Sequence, residues 1–70
     1  MRLYINGKEQ FFDTELNLGQ LIEQLGMKSD RVAVELNHEI VSRPQWPETG
    51  LHDDDRLEIV HFVGGGSGRD

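Results

Sequence analysis

The sequence predicts an α+β roll, in which a β-hairpin, one helix packed across it and later strands build a mixed sheet. Three patterns support this fold class: an alternating strand before a hairpin turn, one amphipathic helix, and alternating strands that end in a glycine run. The chain has 70 residues, 36% of them hydrophobic, which suffices for one small domain. We predict a domain over residues 1–63 and a flexible glycine-rich tail over residues 64–70.

The first strand is predicted from alternating apolar residues, at Met1, Leu3 and Ile5. Asn6-Gly7 follows, which is a strong hairpin signal. A two-residue loop would place Leu3 opposite Gln10, whereas a three-residue loop would place Leu3 opposite Phe11. We expect the three-residue loop, because it puts the aromatic side chain on the buried face.

The helix is predicted from an apolar stripe with helical spacing, formed by Leu18, Leu21, Ile22 and Leu25. Asn17 is expected to cap its start, with Gln20 in the capping-box position. Gly26 is expected to end the helix in a left-handed conformation. A helix of about two turns is not stable alone, so it must lie against a sheet.

Later strands are predicted over residues 32–36, 40–41 and 57–63, with an irregular segment over 43–47 and a tight turn over 53–55. By analogy with known rolls of this class, and not from the alternation itself, we expect the first and last strands to be parallel neighbours at the centre of the sheet. In the last strand, Leu57 and Ile59 face the core, and His61 shares their parity and is expected to be half-buried. Val60 and Phe62 have the opposite parity.

Composition limits the partners of the chain. The net charge is −6, which disfavours nucleic acid and anionic membranes and favours a basic protein partner. No cysteine is present, so disulfides, thiol nucleophiles and cysteine-based metal sites are excluded, which fits a reducing cytoplasmic compartment. No apolar run approaches 18 residues, and the N-terminus turns polar too early for a signal peptide.

Side chains that carry catalysis or bind metals form no recognisable motif. The three histidines, His38, His52 and His61, lack metal-ligand spacing, so we assign no metal site. The run Asp53-Asp54-Asp55 is interpreted as a solvated turn, because adjacent aspartates cannot reproduce a calcium loop. Trp46 is interpreted as a core residue. We assign no catalytic residue to this chain.

The glycine run after the last strand allows two interpretations. Gly64, Gly65 and Gly66 are either a terminus without a role or an arm that threads into a narrow slot, where any Cβ would clash. Val60 and Phe62, beside this run, either form an exposed apolar strip or pack under a loop; we predict that both are exposed and form a partner interface.

Several stretches of residues 1–66 resemble the sulfur carriers of thiamine biosynthesis, the ThiS family. They are Asn6-Gly7, residues 32–37, Ile40-Val41 with Arg43 and Trp46, and residues 55–66, of which Glu-Ile-Val-His-Phe-Val-Gly-Gly-Gly at 58–66 is the most specific. The resemblance implies a ubiquitin-like β-grasp fold and a protein cosubstrate, not an enzyme. It also implies that Gly66 is the modified residue, first as an adenylate and then as a thiocarboxylate, with Gly64 and Gly65 as the threading arm.

The partners implied by the resemblance are three. An E1-like adenylyltransferase of the ThiF type would use ATP and Mg²⁺, so the chain itself would bind no cofactor. A sulfur donor, such as a cysteine desulfurase system, would form the thiocarboxylate. A thiazole synthase of the ThiG type would take the sulfur.

This sequence departs from the family pattern at two places. Asp54 stands where the family has glycine in an Asp-Gly-Asp turn, and residues 67–70, Ser-Gly-Arg-Asp, follow Gly66. Because an internal peptide carbonyl cannot be adenylated as a carboxylate, a protease is expected to remove these four residues. Two other functions fit the same residues: a carrier for molybdopterin or another thiocarboxylate pathway, and a β-grasp protein-binding module without tail chemistry.

Overall fold

A five-stranded mixed sheet with one α-helix across one face forms the domain in a computed structural model, which describes residues 1–62. The elements in chain order are β1 (Arg2–Ile5), β2 (Lys8–Phe11), α1 (Leu18–Gln24), a 3₁₀ helix (Ser29–Arg31), β3 (Val32–Leu36), β4 (Glu39–Ile40), a second 3₁₀ helix (Arg43–Glu48) and β5 (Asp55–His61). Within these residues, no helix is long and apolar enough to cross a membrane.

The strand order is β2-β1-β5-β3-β4. β1 and β5 are parallel neighbours at the centre, as predicted, and the other strand pairs are antiparallel. The last strand, β5, is therefore central in the sheet and precedes the predicted tail in the sequence.

The first hairpin corrects the predicted register. Leu3 lies opposite Gln10, not opposite Phe11, so the loop has two residues. Asn6 and Gly7 both have positive φ, 52° and 81°, the geometry of the two-residue turn that matches strand twist. This turn places Phe11 on the exposed face of the sheet, where 72% of its surface is accessible, and Phe12 packs against the core instead.

Helix α1 agrees with the prediction at both ends. The Asn17 side chain accepts a hydrogen bond from the Gln20 N–H, and the Gln20 side chain accepts one from the Asn17 N–H. Gly26 follows the helix with a φ of 76°. The apolar stripe of α1 packs on the sheet in one core, whose buried residues are Leu3, Ile5, Leu18, Leu21, Ile22, Val32, Val34, Trp46, Leu51, Leu57 and Ile59.

Segment 43–47, predicted to be irregular, lies within the second 3₁₀ helix. Pro44 lies in its first turn, where a missing N–H costs nothing. The helix buries Trp46, as predicted, and the indole N–H donates to the Val41 carbonyl at 2.9 Å. β4 covers Glu39–Ile40, one residue earlier than predicted, and Val41 packs half-buried against the core.

Candidate partner-binding site at the end of the last strand

The site is built on β5, which ends two residues before the glycine run in the sequence. The predicted tail residues Gly64, Gly65 and Gly66, together with Val63 and residues 67–70, lie outside the described residues. Their assigned roles remain predictions. What the structure describes is the strand that holds them.

Val60 and Phe62 are exposed, with 59% and 51% of their surfaces accessible. Their exposure was predicted, and their role as an interface remains a prediction. Val60 lies opposite Ala33 of β3, and the Phe62 N–H donates to the Arg31 carbonyl at 2.7 Å. We call Val60 and Phe62 the apolar patch. It lies on a part of the chain that is hydrogen-bonded to the β3 side as far as residue 62.

His61 is exposed, which corrects the prediction that it would be half-buried. Alternation still places its side chain on the same side of β5 as Leu57 and Ile59. Val32 of β3 flanks His61 on one side, but the pairing of β1 with β5 ends at Leu57, so no strand flanks His61 on the other side.

Two asparagine side chains hold β5 from opposite sides. The Asn6 Oδ1 accepts from the Ile59 N–H at 2.7 Å, and the Asn6 Nδ2 donates to the Ile59 carbonyl at 3.2 Å. On the β3 side, the Asn37 Oδ1 accepts from the Arg56 N–H at 2.9 Å, and the Asn37 Nδ2 donates to the Asp55 carboxylate at 3.0 Å. Both asparagines have a φ of 52°, which this residue type tolerates well.

The sequence indicated a turn at Asn6 and did not indicate what either asparagine side chain binds. The hydrogen bonds from their side chains join positions that are distant along the chain, so no local pattern contains them. The only available signal was the residue type, since asparagine combines a left-handed backbone with an amide that both donates and accepts.

The exposed face of the sheet has acidic and basic regions. Glu58 lies directly opposite Glu35, next to Val60 along β5. Farther from the tail, the Arg56 guanidinium lies 4.4 Å from the centre of the Tyr4 ring, and the Arg2 guanidinium lies 5.4 Å from it. The acidic pair thus adjoins Val60 and Arg31 adjoins Phe62, while Arg2 and Arg56 stack on an aromatic ring farther away.

The three successive aspartates form a turn that is attached to the start of β1. The Asp53 carboxylate accepts the Arg2 main-chain N–H at 2.7 Å, and the Asp54 carboxylate accepts the Arg2 guanidinium at 2.6 and 2.8 Å. These bonds to Asp54 raise the pKa of the Arg2 guanidinium. Asp55 accepts the His52 N–H at 2.8 Å. The three carboxylates therefore accept hydrogen bonds that stabilise the turn. Residues 1–62 contain no group of three acidic or histidine side chains arranged for a metal ion.

The mixed sheet, the helix across one face and the central last strand define a ubiquitin-like β-grasp protein. The model of the ThiS family matches residues 2–66. The chain belongs to the ThiS family.

Individual relatives agree with this assignment. The sulfur carrier protein ThiS of Bacillus subtilis is 38% identical over 65 residues, which are 91% of this chain and 98% of that protein. The crystal structure of the thiamine biosynthesis protein ThiS from Geobacter metallireducens has a TM-score of 0.82 at 36% identity, covering 94% of this chain and 100% of that one.

A second kind of relative is much longer. A thiazole synthase of Paramagnetospirillum magneticum is 45% identical over 67 residues, which are 96% of this chain and 21% of that protein. A thiazole synthase of Magnetococcus marinus matches at 38% identity over 20% of its length. The chain therefore spans about a fifth of the thiazole synthases that it matches.

Proposed function

We propose that this chain is a sulfur carrier of thiamine biosynthesis that works in the cytoplasm and carries sulfur as a thiocarboxylate on Gly66. The observation that supports this function most directly is the family match, which extends over the whole β-grasp domain and ends at Gly66. The chain is the cosubstrate, and its partners carry out the catalysis.

The chemistry requires activation, because a carboxylate is a poor acyl donor. An E1-like adenylyltransferase with ATP and Mg²⁺ lets the Gly66 carboxylate attack the α-phosphorus, which expels pyrophosphate. Hydrosulfide attacks the acyl carbon, expels AMP and leaves the glycyl thiocarboxylate. A persulfide from a cysteine desulfurase system would first expel AMP to form an acyl disulfide, and a thiol would then attack its S–S bond, forming a new disulfide and releasing the same thiocarboxylate.

Thiazole synthase is the proposed acceptor of the sulfur. Two relatives named thiazole synthase contain a segment that matches nearly this whole chain. A carrier segment within the same polypeptide as the enzyme supports a working partnership between the two. The same relatives favour the thiamine pathway over a molybdopterin carrier.

The geometry of β5 suits this role. The strand is hydrogen-bonded to β1 and β3 and fixed by Asn6 and Asn37, so the base of the tail has a defined position. The exposed apolar patch of Val60 and Phe62 lies where a partner that receives the glycines would contact the domain.

Residues 67–70 must be absent for Gly66 to present a carboxylate, and we propose that a protease removes them. The test compares the 70-residue chain with a chain that ends at Gly66, each with the adenylyltransferase, ATP, Mg²⁺ and sulfide. Exchange of a carboxylate oxygen for sulfur raises the intact mass by about 16 units. We expect this gain only in the chain ending at Gly66.

The controls separate the alternatives. A chain ending at Gly65 should gain no sulfur, because its carboxylate is one residue short. Equal gain by the intact 70-residue chain, with Asp70 retained, would show that Gly66 is not the acceptor. No gain in any form, with partner binding intact, would instead identify a β-grasp binding module.

A further inference from the structure

The main-chain hydrogen-bonding groups of β5 point alternately toward β1 and toward β3. The last groups on the β1 side, the N–H and carbonyl of His61, have no strand beside them. The main-chain groups of Arg56 and the N–H of Phe62 bond on the β3 side. The main-chain groups of Leu57 and Ile59 bond on the β1 side, to the backbone and side chain of Asn6. Since strand groups alternate, the N–H and carbonyl of His61 point toward the β1 side.

β1 does not reach His61. Its pairing with β5 ends at Ile5 opposite Leu57, and the chain then turns away through Asn6 and Gly7. The Asn6 amide extends the pairing as far as Ile59 and no farther. Within residues 1–62, no hydrogen bond reaches the N–H or carbonyl of His61 from the β1 side. The result is an open strand edge at His61, directly before the tail.

We infer that this open edge receives an extended segment of thiazole synthase, which pairs with the main chain of His61 and adds a strand beside β5. The inference rests on the proposed function and names how the partner holds the tail. An open strand edge is a ready template for strand addition, and main-chain hydrogen bonds supply the affinity in such complexes.

The side chains around the edge indicate the chemistry of the added segment. Val60 and Phe62 flank His61 on the exposed face, so side chains next to the paired position would meet an apolar surface. Beyond Val60 lies the acidic pair Glu35 and Glu58. The edge therefore fits a segment with apolar residues, and the net charge of −6 favours a partner that is basic elsewhere in its contact surface.

Pairing at His61 would also explain how a glycine run is guided into an active site. Glycine loses more conformational freedom on ordering than any other residue. A partner strand that begins to pair at His61 fixes the direction of the chain immediately before the glycines. The entropy cost is then confined to the few residues that enter the slot.

The test uses the full chain and purified thiazole synthase of the ThiG type. His61→Pro removes the N–H of residue 61, and proline is tolerated in a strand where its nitrogen faces an open edge. His61→Ala is the matched control, because it removes the imidazole and keeps the N–H. We expect both variants to unfold at similar urea concentrations, and His61→Pro to bind thiazole synthase about tenfold more weakly than His61→Ala.

Amide hydrogen exchange gives an independent readout. In the free chain, the His61 amide should exchange quickly between the slower amides of Val60 and Phe62. In the complex, the His61 amide should become protected. Protection already in the free chain, no added protection in the complex, or equal binding of the two variants would overturn the inference.

Failure of this inference and failure of the proposed function give different results. Sulfur gain by the chain ending at Gly66, with equal binding of His61→Pro and His61→Ala, would overturn only the strand addition. Absence of sulfur gain, with weakened binding of His61→Pro, would overturn only the carrier chemistry. If His61→Pro weakened binding to the adenylyltransferase but not to thiazole synthase, the open edge would serve a different partner, and the inference as stated would be overturned.

Discussion

The side chain of Asn6 pairs with both main-chain groups of Ile59, and so takes the place of a strand that has already turned away. In a parallel ladder, the next two partners of Ile59 would be main-chain groups of residues 6 and 8. One amide supplies both an acceptor and a donor in their place. The hairpin turn of the first two strands thereby fixes the strand that carries the tail.

Replacement of Asn6 tests this relationship. Asn6→Gly keeps the left-handed backbone and removes both hydrogen bonds, so the free energy of unfolding should fall by about 1–3 kcal/mol. Asn6→Ala adds the cost of a Cβ at a φ of 52°, which is about 1 kcal/mol more. Urea denaturation measures both. A Gly variant as stable as the wild type would show that the two bonds contribute nothing.

The turn between β3 and β4 offers a matched pair of substitutions with opposite expected signs. His38 has a φ of 73° and an exposed side chain, so His38→Gly should raise the free energy of unfolding by about 0.5–1 kcal/mol through relief of strain. Asn37→Gly loses the bonds to Arg56 and Asp55, so it should lower that free energy by about 1–2 kcal/mol. Thermal denaturation distinguishes the two. The same sign for both would contradict the assigned role of Asn37.

The apolar patch is tested by the double change Val60→Ser and Phe62→Ser. Both side chains are exposed, so the free energy of unfolding should change by less than about 1 kcal/mol, while thiazole synthase binding weakens at least about tenfold. The matched control changes Phe11 and Ile40 to Ser, since these side chains are 72% and 79% exposed and lie away from the tail. Calorimetric titration gives the affinities. Equal weakening by both double variants would contradict a specific patch.

Trp46 is expected to stabilise the hydrophobic core and not to contact a partner. Trp46→Phe loses the hydrogen bond to the Val41 carbonyl and should cost about 1–2 kcal/mol, whereas Trp46→Ala leaves a cavity and should cost about 3–5 kcal/mol. Chemical denaturation provides the values. Partner affinity, measured where the variant is folded, should remain that of the wild type. A stable Trp46→Ala variant with lost binding would reverse the interpretation.

Local patterns predicted the helix well, because its determinants are close in sequence. The stripe from Leu18 to Leu25 and the reciprocal bonds of Asn17 and Gln20 are all contained within nine residues. The parallel centre of the sheet also agreed with prediction, although strand order does not follow from alternation alone.

The hairpin register was wrong because Phe11 and Phe12 are adjacent, so an apolar pattern fits either one on the buried face. Turn geometry at Asn6 and Gly7 decided between them. The burial of His61 was wrong because parity along β5 does not reveal that the neighbouring strand β1 stops before it reaches His61. The bonds of Asn6 to Ile59 were beyond prediction, since they exist only once two distant chain segments have been brought together.

The parallel pairing of β1 with β5 has a mechanical consequence. Tension applied to the glycine end runs along β5 and loads the bonds to β1 and β3 in shear, so several must break at once. If the last strand lay at the edge of the sheet and were pulled away sideways, the hydrogen bonds would break one after another. A partner that drew the predicted tail into a narrow slot would thus pull along a direction in which the bonds of β5 resist together.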